Sequence, residues 1–136
     1  MDKELLETSL SLVADAEEGL TLRFYAILFE RHPAVRPMFG ADIGPQAAML
    51  RGAVVAVLDH LDDAAWLGDT LGGLGAKHAE WGVTAPMYAA VAECMIAAME
   101  ELGGPAWTPE MTAAWTDALG AVASLMLAGY PEAISA

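Results

Sequence analysis

Apolar residues at helical spacing, cut at intervals by proline and glycine, constrain this chain more than any other feature. Leu67, Leu71, Leu74 and His78 follow one another by four, three and four residues, so all four side chains share one face of an α-helix. The same rhythm recurs throughout, and its interruptions mark about seven helical pieces. Residues 2–16 carry Leu5, Leu6, Leu12 and Val13 with acids between them, and residues 18–31 carry Leu22, Tyr25 and Phe29 ahead of His32 and Pro33. The stretch PAVRPMFG, residues 33–40, reads as a short turn-like helix. Pro45 opens a long helix to about His60, and residues 64–79 form the His78 helix, broken at Gly82. A further helix starts near Thr84-Ala85-Pro86 and ends at Gly103-Gly104. The last begins at Thr108-Pro109-Glu110, an N-cap, a first-turn proline and an acid at the positive end of the helix dipole, and runs to about Gly129. No stretch alternates as a strand would. The predicted class is all-α, as one domain over residues 1–136.

Charge and composition exclude several roles. A net charge of −13 argues against nucleic acid and against an anionic membrane surface as partners. The cations Arg23, Arg31, Arg36 and Arg51 cluster within residues 23–51, a pattern that scattered surface charge also explains. One cysteine, Cys94, cannot form an internal disulfide and reads as a small core residue in a reducing compartment. The N-terminal MDKELLETSL lacks a signal-peptide core. No apolar stretch approaches the ~20 residues that span a bilayer, so the expected location is cytoplasmic and not in a membrane. Hydrophobic residues make up 56% of the chain, above the usual share. A tight core, a partner surface or an apolar ligand would each account for the excess.

Three polar side chains lie on otherwise apolar stripes of three helices. On the Pro45 helix, Gln46, Leu50, Ala53, Val54 and Val57 share a side. Tyr25 lies on the Leu22–Phe29 face, and His78 continues the leucine stripe. A buried imidazole needs a partner. A backbone carbonyl would satisfy His78 as a core residue; a ligand bound beside the helix would give it a function. Gln46 can likewise be solvated and Tyr25 can reach the surface with its hydroxyl. Together the three could line one cavity from two sides.

The stretch FYAILFERHPAVRPMFG, residues 24–40, resembles the second and third helices of the globins, above all bacterial single-domain haemoglobins and the haem domain of flavohaemoglobins. KHAEWGV resembles the family's KH…GV signature, MYAAVAE the start of the next helix, and TPEMTAAWTDALGAV the last helix. The resemblance covers essentially residues 4–130 and implies a globin fold enclosing haem b (iron protoporphyrin IX). It implies that His78 is the axial iron ligand, Tyr25 the distal tyrosine, Phe39 the haem-stacking phenylalanine and Gln46 the distal glutamine. Leu50 then takes the apolar distal position, Val54, Leu71 and Leu74 line the porphyrin face, and Tyr88 stands behind the axial histidine. The Leu74 carbonyl, one turn back, could fix the His78 tautomer. Haem iron so held leaves one position for O2, CO or NO. Tyr25 and Gln46 would favour O2, which draws charge from iron, more than CO.

The chain departs from the family pattern at several positions. Flavohaemoglobins that dioxygenate nitric oxide pair the proximal tyrosine with a late carboxylate, and the corresponding position here is Tyr130. Where several relatives have a base three residues after the distal group, this chain has Met49, leaving Lys77 and Arg36 or Arg51 for the haem carboxylates. The distal residue is glutamine, so bis-histidine ligation from that position is not expected; His60 lies 14 residues on, about 21 Å along the helix. The expectation is a haem domain without flavin and nicotinamide domains. Its first reading is reversible O2 binding for storage, delivery or sensing. Nitric oxide dioxygenation with a separate reductase is the alternative, and a haemless interaction module the third. No catalytic residue is assigned.

Overall fold

The computed structural model describes residues 3–13, 19–39 and 42–130. Six α-helices follow in order: α1 (Lys3–Val13), α2 (Gly19–Arg31), α3 (Gly44–Asp59), α4 (Ala64–Glu80), α5 (Ala85–Gly103) and α6 (Pro109–Ala128). Short 3-10 turns at Pro33–Met38 and Gly104–Ala106 join α2 to α3 and α5 to α6. No strand occurs among the described residues, so the all-α class stands. The second turn has no counterpart among the predicted pieces. The stretch predicted as helix beyond Val13, residues 14–16, lies outside the described residues, as does Gly40.

Local chemistry sets the helix limits. The Asp63 carboxylate caps α4 by accepting from the Trp66 N–H at 3.0 Å, and Thr108 caps α6 by accepting from the Met111 N–H at 3.2 Å. Prolines occupy the first turns of α3, α5 and α6, where a missing N–H removes no helical bond. Gly82, with φ +82°, follows α4, and Gly104, with φ +53°, closes α5. Between α4 and the segment Ala85–Ala106 the chain turns through 113°.

The core forms two clusters. The larger gathers Leu6, Phe24, Leu28, Met95, Ala98, Met99 and Trp115 from α1, α2, α5 and α6. The smaller gathers Leu67, Leu71 and Met126 where α4 lies along α6. Each large side chain removed from water contributes about 1.5–3 kcal/mol. Cys94 is fully buried in the larger cluster, as expected for a small core residue. At the α4–α6 crossing the backbones touch: a Cβ on Gly75 would stand 1.9 Å from the Met126 carbonyl oxygen, and one on Gly129 would stand 2.0 Å from that of Gly72.

Three expectations need correction. Leu22 is 42% exposed, because α2 turns Leu20, Phe24, Ile27 and Leu28 toward the core and Leu22 lies some 200° round the helix from Leu20. Ala53 is exposed as well; the buried positions of α3 are Ala47 and Leu58, one residue off the predicted stripe. Helix α6 is 20 residues long with a mean hydropathy of 1.3, apolar enough by length and composition to cross a bilayer. Glu110 and Asp117 interrupt its apolar run in the sequence, and the helix packs here on α4, α5 and α1.

Candidate functional site

His78 sits in the last turn of α4, half-buried. Its Nδ1 lies 2.8 Å from the Leu74 carbonyl oxygen, which can only accept, so Nδ1 donates there and Nε2 is left as the nitrogen that could meet a metal. The His78 carbonyl accepts from the N–H groups of Trp81 and Val83 at 3.1 and 3.0 Å, which ties the helix end to the following corner. The ring is flanked by Trp81 and Tyr88, with centroids 5.1 and 6.2 Å away. No group of three or more His, Cys, Asp or Glu side chains suited to a bare metal ion occurs among the described residues. A single oriented imidazole fits a metal that arrives with its other ligands already in place.

A second group forms on the larger cluster. Tyr25 on α2 is 4% exposed, and its ring meets Phe39 edge-on at 5.4 Å and Phe29 at 5.8 Å. Burial raises the Tyr25 phenol above its ordinary pKa, and a hydrogen bond from the Gln46 side chain partly offsets the rise. Arg36 covers the Phe29 ring at 4.8 Å and donates to the Phe39 carbonyl at 3.3 Å.

Apolar side chains at the margins of the two clusters are incompletely covered. Phe39, Leu50 and Val54 belong to the larger cluster, Leu74 and Tyr88 to the smaller, and all five are half-buried. Lys77 is exposed beside His78 on α4, while Met49 is 68% exposed. The fold thus joins Tyr25, Gln46 and Phe39 in one group and His78, Leu74 and Tyr88 in another. An imidazole with a free Nε2, a buried phenol and half-covered apolar residues suit a flat, largely apolar, iron-bearing group such as haem. Two surface grooves, of about 650 and 320 Å³, run along α6 and between α2 and α5, and neither includes these residues.

Sequence reasoning passed over two contributors. Trp81 stands in the quoted KHAEWGV stretch, and only the turn after α4 shows that it flanks His78. Tyr130, noted as a departure from the family, hydrogen-bonds both Tyr88 and the Val83 carbonyl, at 2.9 and 2.8 Å.

The Globin family model matches residues 22–126. The flavohemoprotein of Bordetella pertussis is 30% identical over 128 residues, covering 92% of this chain and 32% of that protein. The chain therefore spans about a third of the length of the curated relatives it matches. Among solved structures, a bacterial globin from Campylobacter jejuni superposes with a TM-score of 0.83 at 22% identity, covering 98% of this chain and 97% of its own. A flavohemoglobin from Malassezia yamatoensis, solved with bound FAD and heme, gives 0.76 at 23% identity, covering 93% of this chain and 35% of its own. Family match, helix order and superposition agree, and the chain belongs to the globin family.

Proposed function

We propose that this globin binds haem b through His78 and reversibly holds a diatomic gas, O2 foremost, in the cytoplasm for storage, delivery or sensing. The observation that carries this reading is the His78–Leu74 hydrogen bond, which orients the ring and leaves Nε2 as the nitrogen that could bind iron. Haem, when bound, supplies an iron with one open position for O2, CO or NO. Phe39, Leu50, Val54 and Leu74 would cover its faces, Tyr88 would stand behind His78, and Lys77 would meet a haem carboxylate at the surface. Tyr25 would donate a hydrogen bond to the gas. Gln46 would hold that phenol in place through their shared hydrogen bond. Such donors would favour O2, a ligand that draws charge to itself, over neutral CO.

Nitric oxide dioxygenation with a separate reductase is the second reading, supported by the likeness to flavohemoproteins over 92% of the chain. Absorption spectra of the ferrous protein with and without O2, with the autoxidation rate, test the first. The expected result is a five-coordinate, high-spin ferrous state that takes up O2 and releases it unchanged over many cycles. A six-coordinate low-spin ferrous state at neutral pH would contradict it. Rapid consumption of nitric oxide in the presence of a reductase, with little reversible O2 release, would favour the second reading.

A further inference from the structure

From Trp81 to Ala92 twelve residues run without an acid, a base or a histidine, in a chain of net charge −13. This stretch, WGVTAPMYAAVA, forms the corner after α4 and the first turns of α5. Gly82, with φ +82°, turns the chain back, and the Trp81 and Val83 N–H groups both bond the His78 carbonyl. The corner is thereby seated on the end of α4. Its outer side is open: Gly82, Thr84, Ala85, Pro86 and Ala89 are exposed, and Trp81 is 60% exposed. Trp66 and Trp107 are half-buried and Trp115 is buried, so Trp81 is the one indole turned to solvent. Tryptophan is enriched, and charge depleted, where a protein surface is covered by a partner.

His78 stands directly behind this indole, with ring centroids 5.1 Å apart. Trp81 therefore links the open surface to the ring that would hold iron. Charge decides what can cover it. Lys3, Arg23 and Arg31 are spent in ion pairs with Asp62, Glu101 and Glu93, and beside the corner the exposed Lys77 and Glu80 are opposite in sign. A second copy of the chain would bring the same excess of acid, and long-range repulsion opposes that pairing. A basic partner is drawn in instead. The uncharged corner lets it close without burying an unpaired charge.

We propose that this corner is the docking surface for a basic electron-carrier protein, with Trp81 as its central contact. Once oxygen has left haem iron ferric, one electron restores it. A reduced carrier seated on Trp81 passes that electron inward past the His78 ring. The carrier is oxidised by one electron, the iron is reduced by one, and no atom changes hands. The small area suits such a partner, since electron carriers meet in brief encounters that bury less than about 1,200 Å². This inference rests on the reading of His78 as the haem ligand.

The test uses cytochrome c, a basic one-electron carrier, as the probe. Amide NMR of the CO-bound, haem-loaded protein, titrated at low salt with reduced cytochrome c, reads docking while no electron moves. The amides of Trp81, Gly82, Thr84 and Ala85 should shift most, and added salt should reverse the shifts. In stopped flow the ferrous protein should reduce ferric cytochrome c by the same route. Trp81→Ala should slow that reaction by about tenfold, the scale of losing one tryptophan anchor. Trp81→Phe should keep most of the rate, and Leu102→Ala, at an exposed apolar position near the end of α5, should keep all of it. Oxidation by ferricyanide, which needs no docking, and haem release should be alike in every variant. Shifts that fall elsewhere, or a cytochrome c rate unmoved by Trp81→Ala, would overturn the proposal. So would corner shifts that track the protein's own concentration, which would make this a contact between copies. Faster haem release in Trp81→Ala would also overturn it, making the indole a cover for the haem. In each of those cases the reading of His78 stands. A chain that takes up no haem, or holds it equally well in His78→Ala, would overturn both.

Discussion

His78 and His60 make the same hydrogen bond in different settings: each directs Nδ1 at a carbonyl one helical turn back, Leu74 and Ala56, at 2.8 Å. His60 then lies flat on Trp66, with ring centroids 3.7 Å apart and planes 9° from parallel. It caps the corner between α3 and α4. His78 sits among tilted rings in the last turn of α4, beside half-covered apolar residues. The difference predicts opposite consequences. His78→Ala should lose haem or hold it weakly, with the Soret band collapsing until imidazole is added. His60→Ala should leave that spectrum nearly unchanged and cost about 0.5–1.5 kcal/mol of stability through the lost stacking. A normal five-coordinate ferrous spectrum in His78→Ala would remove the central assignment.

The two distal donors are unequal. Tyr25 is clamped by Phe24, Phe29 and Phe39, and its phenol hydrogen-bonds the longer, less constrained Gln46 side chain. Removing the phenol oxygen deletes the donor; removing Gln46 only loosens it. Tyr25→Phe should therefore raise the O2 dissociation rate by about tenfold or more, as expected for a lost bond worth roughly 1.5–3 kcal/mol. Gln46→Leu should have a smaller effect, and CO dissociation should change little in either variant. Stopped-flow ligand displacement measures all four rates. Unaltered O2 release in Tyr25→Phe would refute a polar distal pocket.

These contrasts show where the sequence was legible. Helix order, the stripe ending at His78 and the neighbourhood of Tyr25 and Phe39 could be read because periodicity and short-range motifs are local. Leu22 and Ala53 could not be placed, because a helical period defines faces without saying which face another helix will cover. The Tyr88–Tyr130–Val83 chain joins residues 42 and 47 positions apart, beyond the reach of any local pattern. Gly75 was equally opaque: inside a helix, glycine reads as a weakness until a second backbone is found against it.

Trp115 and Ser9 join α6 to α1 by a fully buried hydrogen bond, with the indole N–H donating to the hydroxyl at 2.7 Å. Ser9 passes its own proton to the Leu5 and Leu6 carbonyls at 2.7 and 3.0 Å. Ser9→Ala strands the indole N–H in the core, where an unsatisfied donor costs about 1–3 kcal/mol. Urea unfolding should report a loss of that size. Trp115→Phe, which removes the donor as well, should be less costly than its loss of ring area implies in the Ser9→Ala background. Purely additive losses would deny that the two groups are coupled.

Alkaline pH should weaken the fold. Tyr25 and Tyr88 both have their phenols raised above the ordinary value of 10.0, mainly by burial. Above that pH the unfolded chain releases protons that the folded chain retains, so ionisation favours unfolding. Stability should be full below pH 10 and fall as pH climbs past it. Denaturation midpoints followed from about pH 9 to 11, alongside phenolate absorbance, check this. Tyr88→Phe should flatten the decline, and a midpoint insensitive to pH across that window would rule the account out.

Gly75 supplies the sharpest steric prediction. On α4 it faces the Met126 carbonyl so closely that a methyl group there would meet backbone oxygen at 1.9 Å, carbonyl carbon at 2.5 Å and Cα at 2.7 Å. Backbone cannot swing aside as a side-chain end can, so Gly75→Ala must push α4 and α6 apart. Overpacking of this kind costs about 1–3 kcal/mol or more. Gly73 lies two residues away on the same helix, and a Cβ there would meet nothing within 4 Å. At that position alanine should stabilise by about 0.5–1 kcal/mol, because glycine loses more backbone freedom on entering a helix. The two substitutions share chemistry and helix, so propensity alone predicts the same sign for both. Opposite signs in urea unfolding would establish the α4–α6 contact as a backbone-to-backbone seat. His78 lies three residues beyond Gly75, so the destabilised variant should also release haem faster than Gly73→Ala does. If Gly75→Ala matches Gly73→Ala in stability, the two helices do not approach as closely as this crossing requires.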